Sequence, residues 1–251
     1  MPRLSAFLIT RNEAVDVGAC LEGLKGLADE IVVVDDHSTD DTAALCRAAG
    51  AKVLTRSLDG FAAQKQFALD QTSGDWALSI DADERLPAAL ADEIRSILDG
   101  PPGPAAYEIR RRFYFLGKPL RFGGLGSDWV LRLFKRGRGR FRPVRVHESI
   151  EIDGPRGRLR TPLEHYSYAT LQEYEEKCSR YTALAARDLW SRGRRFAWWD
   201  HLRPGWELFS RVMLRGAWLD GQRGLIYAAL SAHAAWLRAI KLWEIEQTQR
   251  K

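Results

Sequence analysis

The sequence contains little cysteine, which argues against two classes of protein. Only three cysteines occur among its 251 residues, and they lie far apart at Cys20, Cys46 and Cys178. They show neither the paired spacing of a zinc site nor the even number of a disulfide framework. We therefore expect reduced thiols, which suit the cytoplasm.

Long apolar runs are also missing from the sequence. The first apolar run stops at Arg11, too short and wrongly flanked for a secretory signal. The best candidate for a membrane span, residues 225–243, is interrupted by His233, Arg238 and Lys241, so it falls short of about 18 uninterrupted apolar residues. We therefore expect no transmembrane helix.

A glycine-rich turn is missing where a dinucleotide-binding protein would carry one. The first predicted strand, residues 4–9, runs instead into Thr10-Arg11-Asn12-Glu13. This disfavours a dinucleotide-dependent oxidoreductase. Polar side chains at such a turn could hold a nucleotide base or ribose, or could cap the helix that follows.

What the sequence does contain is a regular alternation of strand and helix patterns. Hydrophobic residues make up 45% of the chain, enough for one substantial domain with or without an appendage. Strands are predicted at 4–9, 30–34, 52–55 and 75–80, and helices at 13–25, 61–69 and 87–98. This order predicts an α/β fold with a mainly parallel, Rossmann-like sheet flanked by helices.

The second half of the chain follows a different pattern. Pro101-Pro102-Gly103-Pro104 predicts either a linker or a long surface turn. Residues 107–152 are aromatic, arginine-rich and strand-like, and helical spacing resumes near residue 171. We predict one domain at 1–170 and an amphipathic helical extension at 171–251.

Two acidic motifs follow predicted strands. Asp35-Asp36 ends the second strand, and Asp81-Ala82-Asp83-Glu84 follows the fourth. Parallel strands present such residues at the carboxyl edge of the sheet, where open α/β proteins bind ligands. Strand alternation would point Asp81 and Asp83 the same way, with Cα atoms about 6.6 Å apart. Clustered carboxylates favour a cation, so we predict a divalent metal and a diphosphate partner.

The net charge of +5 hides an asymmetry between the two parts of the chain. Residues 1–100 hold 9 basic and 18 acidic side chains, a net of −9, and residues 101–251 hold 29 and 15, a net of +14. The basic part suits an anionic acceptor molecule or an anionic membrane surface.

Several short motifs occur in a specific order along the chain. They are Ile9-Thr10-Arg11-Asn12-Glu13, Val33-Val34-Asp35-Asp36-His37-Ser38-Thr39-Asp40, Gln64-Lys65, and Asp75-Trp76 followed by Asp81-Ala82-Asp83-Glu84. The series resembles the family 2 glycosyltransferases of the GT-A fold over about residues 4–170. It is most similar to the lipopolysaccharide inner-core glucosyltransferases, through Arg132-Leu133-Phe134, Val146-His147-Glu148, His165-Tyr166-Ser167 and Lys241-Leu242-Trp243-Glu244.

The resemblance implies a nucleotide-sugar site in the domain at 1–170. The side chains that would surround the base and ribose of the nucleotide are Thr10, Glu13, Asp36 and Lys65. Asp81 and Asp83 would hold the ribose and an Mg²⁺ or Mn²⁺ ion that bridges the sugar diphosphate. His165 lies where some GT-A enzymes place a late metal-binding histidine, although a lone histidine is more often structural.

An inverting sugar transfer also needs a general base for the acceptor hydroxyl. Glu148 and Asp128 compete for this role, and Glu148 is favoured because its position matches an acidic residue of the family. The alternative for Glu148 is a surface ion pair with Arg142 or Arg145.

Three cations after Trp129 could contact the diphosphate or a phosphorylated acceptor. They are Arg132, Lys135 and Arg136.

The resemblance further implies the substrates and the location. Glucose from UDP-glucose is the expected donor group, and an anionic glycolipid similar to the lipopolysaccharide core is the expected acceptor. The chain lacks the Gln-x-x-Arg-Trp motif of processive synthases, which favours a single transfer. Arginine and lysine residues are interleaved with tryptophan and phenylalanine over 205–245. Such a segment suits either a membrane interface or packing in the protein's own core or against a dimer partner. We expect a cytoplasmic protein, peripheral on the inner face of the cytoplasmic membrane, with no nucleic-acid partner.

Two other functions compete with this one. A phosphatase could use Asp81 as nucleophile and Asp83 as acid, but Arg85 stands where such enzymes usually carry Thr or Val. A basic module that binds membrane or nucleic acid would explain the +14 part of the chain but not the acidic part.

Overall fold

The computed structural model describes residues 2–142 and 149–249, and the chain forms two compact units. The first unit contains Met1–Arg111 and Asp128–His165, and the second contains Arg112–Ser127 and Tyr166–Lys251. The predicted first domain, residues 1–170, includes the segment 112–127, whereas in the structure this segment belongs to the second unit. The segment from Pro101 to Pro104 is a bend followed by irregular chain inside the first unit.

The secondary structure alternates as predicted up to residue 98. The first elements are β1 (Leu4–Thr10), α1 (Val17–Leu24), β2 (Glu30–Asp35), α2 (Thr42–Ala48), β3 (Lys52–Thr55), α3 (Phe61–Asp70), β4 (Trp76–Ser79), β5 (Glu84–Arg85) and α4 (Ala88–Leu98). The strands that follow are β6 (Ala106–Phe115), β7 (Lys118–Leu120), β8 (Trp129–Lys135), β9 (Gly139–Arg142), β10 (Ser149–Ile152), β11 (Arg156–Arg158) and β12 (Leu163–Tyr168). The chain ends in α5 (Leu171–Ser191), α6 (Arg203–Phe209) and α7 (Gly221–Gln249), with short 3₁₀ and π-helical turns at Trp198–Leu202, Ser210–Leu214 and Ala217–Asp220.

The centre of the first unit is a parallel sheet in the order β3-β2-β1-β4. Alternate residues of β1 enter different apolar clusters, with Leu8 in one and Phe7 in the other. Val33 and Val32 of β2 divide between the same two clusters. Both faces of the sheet are therefore covered, which explains why these strands are continuous apolar runs. The structure confirms the predicted mixed α/β fold.

Later strands extend this sheet in the antiparallel direction. β8 pairs with β4, with Trp76 opposite Lys135 and Leu78 opposite Leu133. β6 pairs antiparallel with β8, and β5 pairs antiparallel with β12 through Glu84 and His165. Parallel pairing thus dominates the part of the sheet built by the first hundred residues, and β11 adds a parallel pairing with β6.

The start of α1 differs from the sequence prediction. The helix was expected from Glu13, but it begins at Val17. The amides of Glu13 and Ala14 donate to Thr42 Oγ1 (2.8 Å) and Asp40 Oδ2 (3.1 Å) instead. These bonds join the segment after β1 to the segment after β2, so a tertiary contact overrides the local helix pattern.

The second unit contains α5 and α7 around an aromatic cluster. Phe115 is fully buried, and the rings of Tyr168, Tyr174 and Tyr227 pack around it at centroid distances of 6.4, 6.5 and 5.3 Å. Across residues 2–249, leaving aside 143–148, no helix is long and apolar enough to cross a bilayer.

We predict that Gly74→Ala destabilises the first unit. A Cβ atom at Gly74 would lie 2.7 Å from the carbonyl oxygen of Arg3 and 2.8 Å from the amide nitrogen of Ser5. Because both neighbours are backbone atoms, the strand must shift, at a cost of about 2 kcal/mol in the free energy of unfolding. Urea denaturation measures this change.

Gly18→Ala is the matched control for this substitution. It lies in α1, and a Cβ atom there would meet nothing within 4 Å. Alanine at an unhindered helix position should stabilise by about 0.5–1 kcal/mol. Equal effects of the two substitutions would contradict the close approach described at Gly74.

Candidate functional site

The candidate site lies at the carboxyl edge of the parallel strands in the first unit. Thr10 ends β1 and pairs with Asp35 at the end of β2. Because β4 is parallel to β1, the acidic turn from Asp81 to Glu84 follows at the same edge. The structure therefore gathers three of the predicted motifs at one edge of the sheet.

Asp35 organises the loop that follows β2. Its side chain is buried and accepts hydrogen bonds from Thr10 Oγ1 (3.0 Å), Ser38 N (2.9 Å) and Ser38 Oγ (2.5 Å). Asn12, with φ of 56°, accepts from the amide of Thr39 through its Oδ1 at 2.8 Å. Asn12 tolerates this left-handed backbone better than most residues do. Asp35 and Asn12 thus join the loops after β1 and β2 into one hydrogen-bonded rim.

Asp36 is buried beside this rim. Its Oδ1 accepts from the amide of Leu58 (3.0 Å), and its Oδ2 accepts from Arg11 Nη1 (2.7 Å). The Asp36 amide donates to the carbonyl oxygen of Thr10 (2.8 Å). The structure brings Asp36 and Thr10 together, and Glu13 lies three residues beyond Thr10. Their contact with a nucleotide stays a prediction.

Asp81 is held by two buried cations. Lys65 Nζ from α3 donates to Asp81 Oδ1 at 2.9 Å, and Arg132 Nη2 from β8 donates to Asp81 Oδ2. Burial alone would raise the pKa of Asp81, but Arg132 and Lys65 lower it well below its usual value. Asp81 is therefore a fixed carboxylate anion.

Glu84 shares Arg132 with Asp81. Arg132 Nη2 lies 2.5 Å from Glu84 Oε1, and Arg111 Nη1 lies 3.7 Å from the same atom. The Glu84 side chain is fully buried, and this burial raises its pKa. Burial would lower the pKa of Arg132, but Asp81 and Glu84 raise it above its usual value. Arg132 was predicted at the diphosphate, a contact that stays a prediction, and the structure places it between these two carboxylates.

Asp83 has a partner outside the pairs of Asp81 and Glu84 with Arg132. Because the residues from Asp81 to Glu84 form a turn, in which the Glu84 amide donates to Asp81 O at 3.0 Å, the strand alternation expected for Asp81 and Asp83 is wrong. Asp83 Oδ2 instead lies 3.4 Å from Nε2 of His165 on β12. Both side chains are largely buried. The structure thus joins two predicted metal ligands that are 82 residues apart.

The Asp83–His165 pair can serve as part of a divalent metal site. A carboxylate oxygen and an imidazole nitrogen both suit Mn²⁺, and Mg²⁺ is commonly bound by one or two carboxylates together with substrate phosphates. Within the described ranges 2–142 and 149–249, no group of three His, Cys, Asp or Glu side chains is arranged to hold a metal alone. The pair therefore fits an ion that takes its other ligands from a diphosphate and water.

Of the two candidates for the general base, Asp128 lies among the residues that the structure describes. Its Oδ2 accepts from Arg111 Nε (2.8 Å) and lies 2.7 Å from Arg111 Nη2. Arg111 therefore connects Asp128 to Glu84 and the ion network. Glu148, the favoured candidate, lies outside the described residues. Arg142, one of its expected ion-pair partners, pairs with Glu151.

Lys135 and Arg136 lie at the opposite end of β4, so their predicted contact with a diphosphate at this site is wrong. Lys135 is opposite Trp76, at the start of β4, and its Nζ lies 5.6 Å from the centroid of the Trp76 ring. The Arg136 amide donates to Asp75 O at 2.9 Å. The antiparallel register of β8 explains the error, because each residue after Arg132 moves away from Asp81.

Two members of the site were missed by the sequence analysis. Glu84 was noted only as part of the acidic motif, and Arg111 was not singled out. Glu84 is adjacent to Asp83 in the sequence, which was the available signal for it. It lies in β5, a strand of two residues that is too short to recognise from sequence. No sequence motif marks Arg111. It comes close to Glu84 and Asp128 because of how the strands pair in the sheet.

Comparison with known proteins identifies the family. The family model described as "Glycosyl transferase family 2" matches residues 5–166. A lipopolysaccharide core biosynthesis glycosyltransferase, LpsC, of Rhizobium meliloti is 36% identical over 249 residues, covering 96% of this chain and 92% of that protein. An uncharacterized glycosyltransferase of Rickettsia typhi is 30% identical over 267 residues, covering 100% of this chain and 90% of that protein.

Solved structures give weaker similarity. Glucosyl-3-phosphoglycerate synthase of Mycobacterium tuberculosis, in complex with Mn²⁺, UDP-glucose and phosphoglyceric acid, has a TM-score of 0.38 and 27% identity, over 44% of each chain. S. aureus TarS 1–349 has a TM-score of 0.49 and 15% identity, over 99% of this chain and 92% of that one. The chain spans less than half of the first of these structures, and neither match adds to the assignment.

The strand order defines an α/β protein, and open α/β proteins bind their ligands at the carboxyl ends of their strands. The chain belongs to glycosyltransferase family 2, and it is a glycosyltransferase that uses a nucleotide-sugar donor. The phosphatase alternative has no support from these matches.

We predict that Arg132→Met strongly destabilises the first unit. The substitution leaves Asp81 and Glu84 without their shared cation, and removal of one partner of a buried ion pair costs about 3–5 kcal/mol. The free energy of unfolding in urea measures the loss. Arg136→Met, four residues along in an exposed position, is the control and should change stability by less than about 0.5 kcal/mol. A loss below 1 kcal/mol in R132M, about the value of an exposed ion pair, would contradict the network.

Proposed function

We propose that this chain is an inverting glycosyltransferase that moves one glucose from UDP-glucose to an anionic glycolipid acceptor at the membrane surface. The observation that carries the proposal is the Asp83–His165 pair beside the cation-held Asp81, at the ligand-binding edge of a family 2 chain. The similarity to the lipopolysaccharide core biosynthesis glycosyltransferase of Rhizobium meliloti supports an acceptor in lipopolysaccharide core synthesis. The net charge of +14 over residues 101–251 suits an anionic acceptor.

The two aspartates of the motif have different roles in this proposal. Asp81 is neutralised by Lys65 and Arg132, so it needs no metal and is available to accept hydrogen bonds from the donor ribose. Asp83 and His165 would hold Mg²⁺ or Mn²⁺. A bound divalent ion supplies positive charge that stabilises the leaving nucleoside diphosphate. Thr10, Glu13 and Asp36 would face the base and ribose from the rim.

The reaction requires a base on the acceptor side. The acceptor hydroxyl loses its proton as its oxygen attacks the anomeric carbon, and the bond from that carbon to the diphosphate oxygen breaks with inversion. We assign the proton transfer to Glu148, with Asp128 as the alternative. The ion pair of Asp128 with Arg111 supports this order, because Asp128 Oδ2 already accepts a hydrogen bond from Arg111 and is held by it.

We predict that Asp83→Asn weakens metal-dependent donor binding by at least about tenfold, because an amide is a poorer metal ligand than a carboxylate. Calorimetry with UDP-glucose, UDP-galactose, UDP-N-acetylglucosamine and GDP-mannose, each with Mn²⁺ and then with EDTA, measures the affinity and identifies the donor. Asp99→Asn, in an exposed position after α4, is the control and should bind as the unmodified protein does.

Two results would contradict the proposed donor site. Wild-type affinity of folded D83N for UDP-glucose with Mn²⁺ would remove Asp83 from the metal site. Equal binding of UDP-glucose with Mn²⁺ and with EDTA by the unmodified protein would remove the metal from the proposal.

We predict that Glu148→Gln lowers kcat by about a hundredfold or more, while UDP-glucose affinity stays unchanged, because loss of a general base affects the chemical step. Asp128→Asn is the comparison, with an expected loss of less than about tenfold. Initial rates of sugar transfer with saturating donor measure both. A large loss in D128N with a small one in E148Q would reverse the assignment.

A further inference from the structure

The second unit exposes an apolar stripe on one helical segment. Leu202, Trp206, Phe209 and Met213 follow the spacing i, i+4, i+7 and i+11, which places them on one side of a helix. Trp206 is 62% exposed and Met213 is 62% exposed. With Trp198, Trp199 and Trp218, which are also exposed, these residues are called the aromatic face.

Three polar side chains of the same helical segment are hydrogen-bonded or buried within the unit. Ser210 is buried, and Arg211 donates from Nη1 to the carbonyl oxygen of Gly123 at 2.8 Å. Glu207 accepts from Arg211 Nε at 2.7 Å. A water-facing helix normally has the reverse arrangement, with apolar residues inside. Several large apolar side chains exposed on one helical segment indicate an apolar partner.

Cations border the aromatic face. Lys118, Arg121 and Arg223 line a surface cavity of about 450 Å³ together with the apolar side chains of Phe122 and Leu219. Leu219 is the neighbour of Trp218 in the chain, so these cations lie next to the segment that carries the aromatic face.

The acidic side chains near the aromatic face are engaged within the unit. Asp200 is buried and pairs with Arg194 and Arg203, each at 2.8 Å. Asp220 accepts from the amides of Arg121 (2.9 Å) and Phe122 (2.8 Å). Glu207 pairs with Arg211. Over residues 191–224 the sequence carries seven Arg against three acidic residues, a net charge of +4.

We infer that the aromatic face docks on an anionic lipid bilayer, with its tryptophans in the headgroup region and Lys118, Arg121 and Arg223 on lipid phosphates. Tryptophan at the apolar–polar boundary with nearby cations is the composition of interfacial segments. A second copy of the chain suits this face less well, because a symmetric contact would bring the same cations together. The inference rests on the proposed function and adds to it the face by which the chain would reach a glycolipid acceptor in the membrane.

Vesicle cosedimentation tests the docking without any sugar transfer. The full chain is mixed with vesicles of phosphatidylcholine alone or with about 30 mol% phosphatidylglycerol, at about 0.1 M salt. We expect at least about tenfold tighter binding to the anionic vesicles, weakening at higher salt. The triple variant W206Q/F209Q/M213Q should lose at least about tenfold. The charge variant R121Q/R223Q should lose about fivefold for each cation removed.

Matched controls separate docking from folding. V15Q/L45Q changes two exposed apolar residues of the first unit and should bind anionic vesicles as the unmodified protein does. Circular dichroism checks that each variant is folded, and W198Q/W218Q replaces the triple variant if that one does not fold.

Three outcomes would overturn the inference. They are no binding of the unmodified protein to anionic vesicles, wild-type binding by a folded triple variant, and a dimer in light scattering that the triple variant disperses without vesicle binding. Because UDP-glucose binding is measured separately, failure of docking leaves the proposed transferase reaction standing, and failure of donor binding leaves docking standing.

Discussion

The ion pairs of Arg132 are the interaction on which the candidate site depends. Three carboxylates, Asp81, Asp83 and Glu84, occur within four residues at the edge of the sheet, and their mutual repulsion opposes this arrangement. Arg132 contacts two of them and reaches them because β8 runs antiparallel to β4, with Leu133 opposite Leu78. The strands added after residue 100 therefore complete a site that the first hundred residues begin. Without β8 the acidic turn would lack the cation that keeps its carboxylates in fixed positions.

The turn that follows β4 separates the two aspartates chemically. In an extended strand Asp81 and Asp83 would share one environment, but the turn sends Asp81 toward Lys65 and Arg132 and Asp83 toward His165. One carboxylate is neutralised by protein cations, and the other faces an imidazole. This difference is what a site needs if one acidic residue is to accept hydrogen bonds and the next is to bind a metal.

The sequence predicted the parts of the molecule that local pattern controls. Val32 to Val34 are buried on both faces of the sheet, so β2 is a continuous apolar run that is easily recognised. The start of α1 was misplaced because the amides of Glu13 and Ala14 bond to Thr42 and Asp40, which are more than twenty residues away. The ion network was missed for the same reason, since the contact between Arg111 and Glu84 exists only through strand pairing. Ordered motifs identified the family, whereas the partners of single charges depended on tertiary structure.

The helical segment of the aromatic face marks a second limit of sequence pattern. The spacing of Leu202, Trp206, Phe209 and Met213 predicts an amphipathic helix equally well whether the apolar side faces the protein or faces outward. What decides its orientation is the bond from Arg211 to the carbonyl oxygen of Gly123, together with the burial of Ser210, which holds the polar side inward. Exposing tryptophans to water has a free-energy cost that burial in another medium removes. A transferase whose acceptor is an amphiphile would meet that medium at the lipid surface, where both the apolar stripe and the cations beside it find partners.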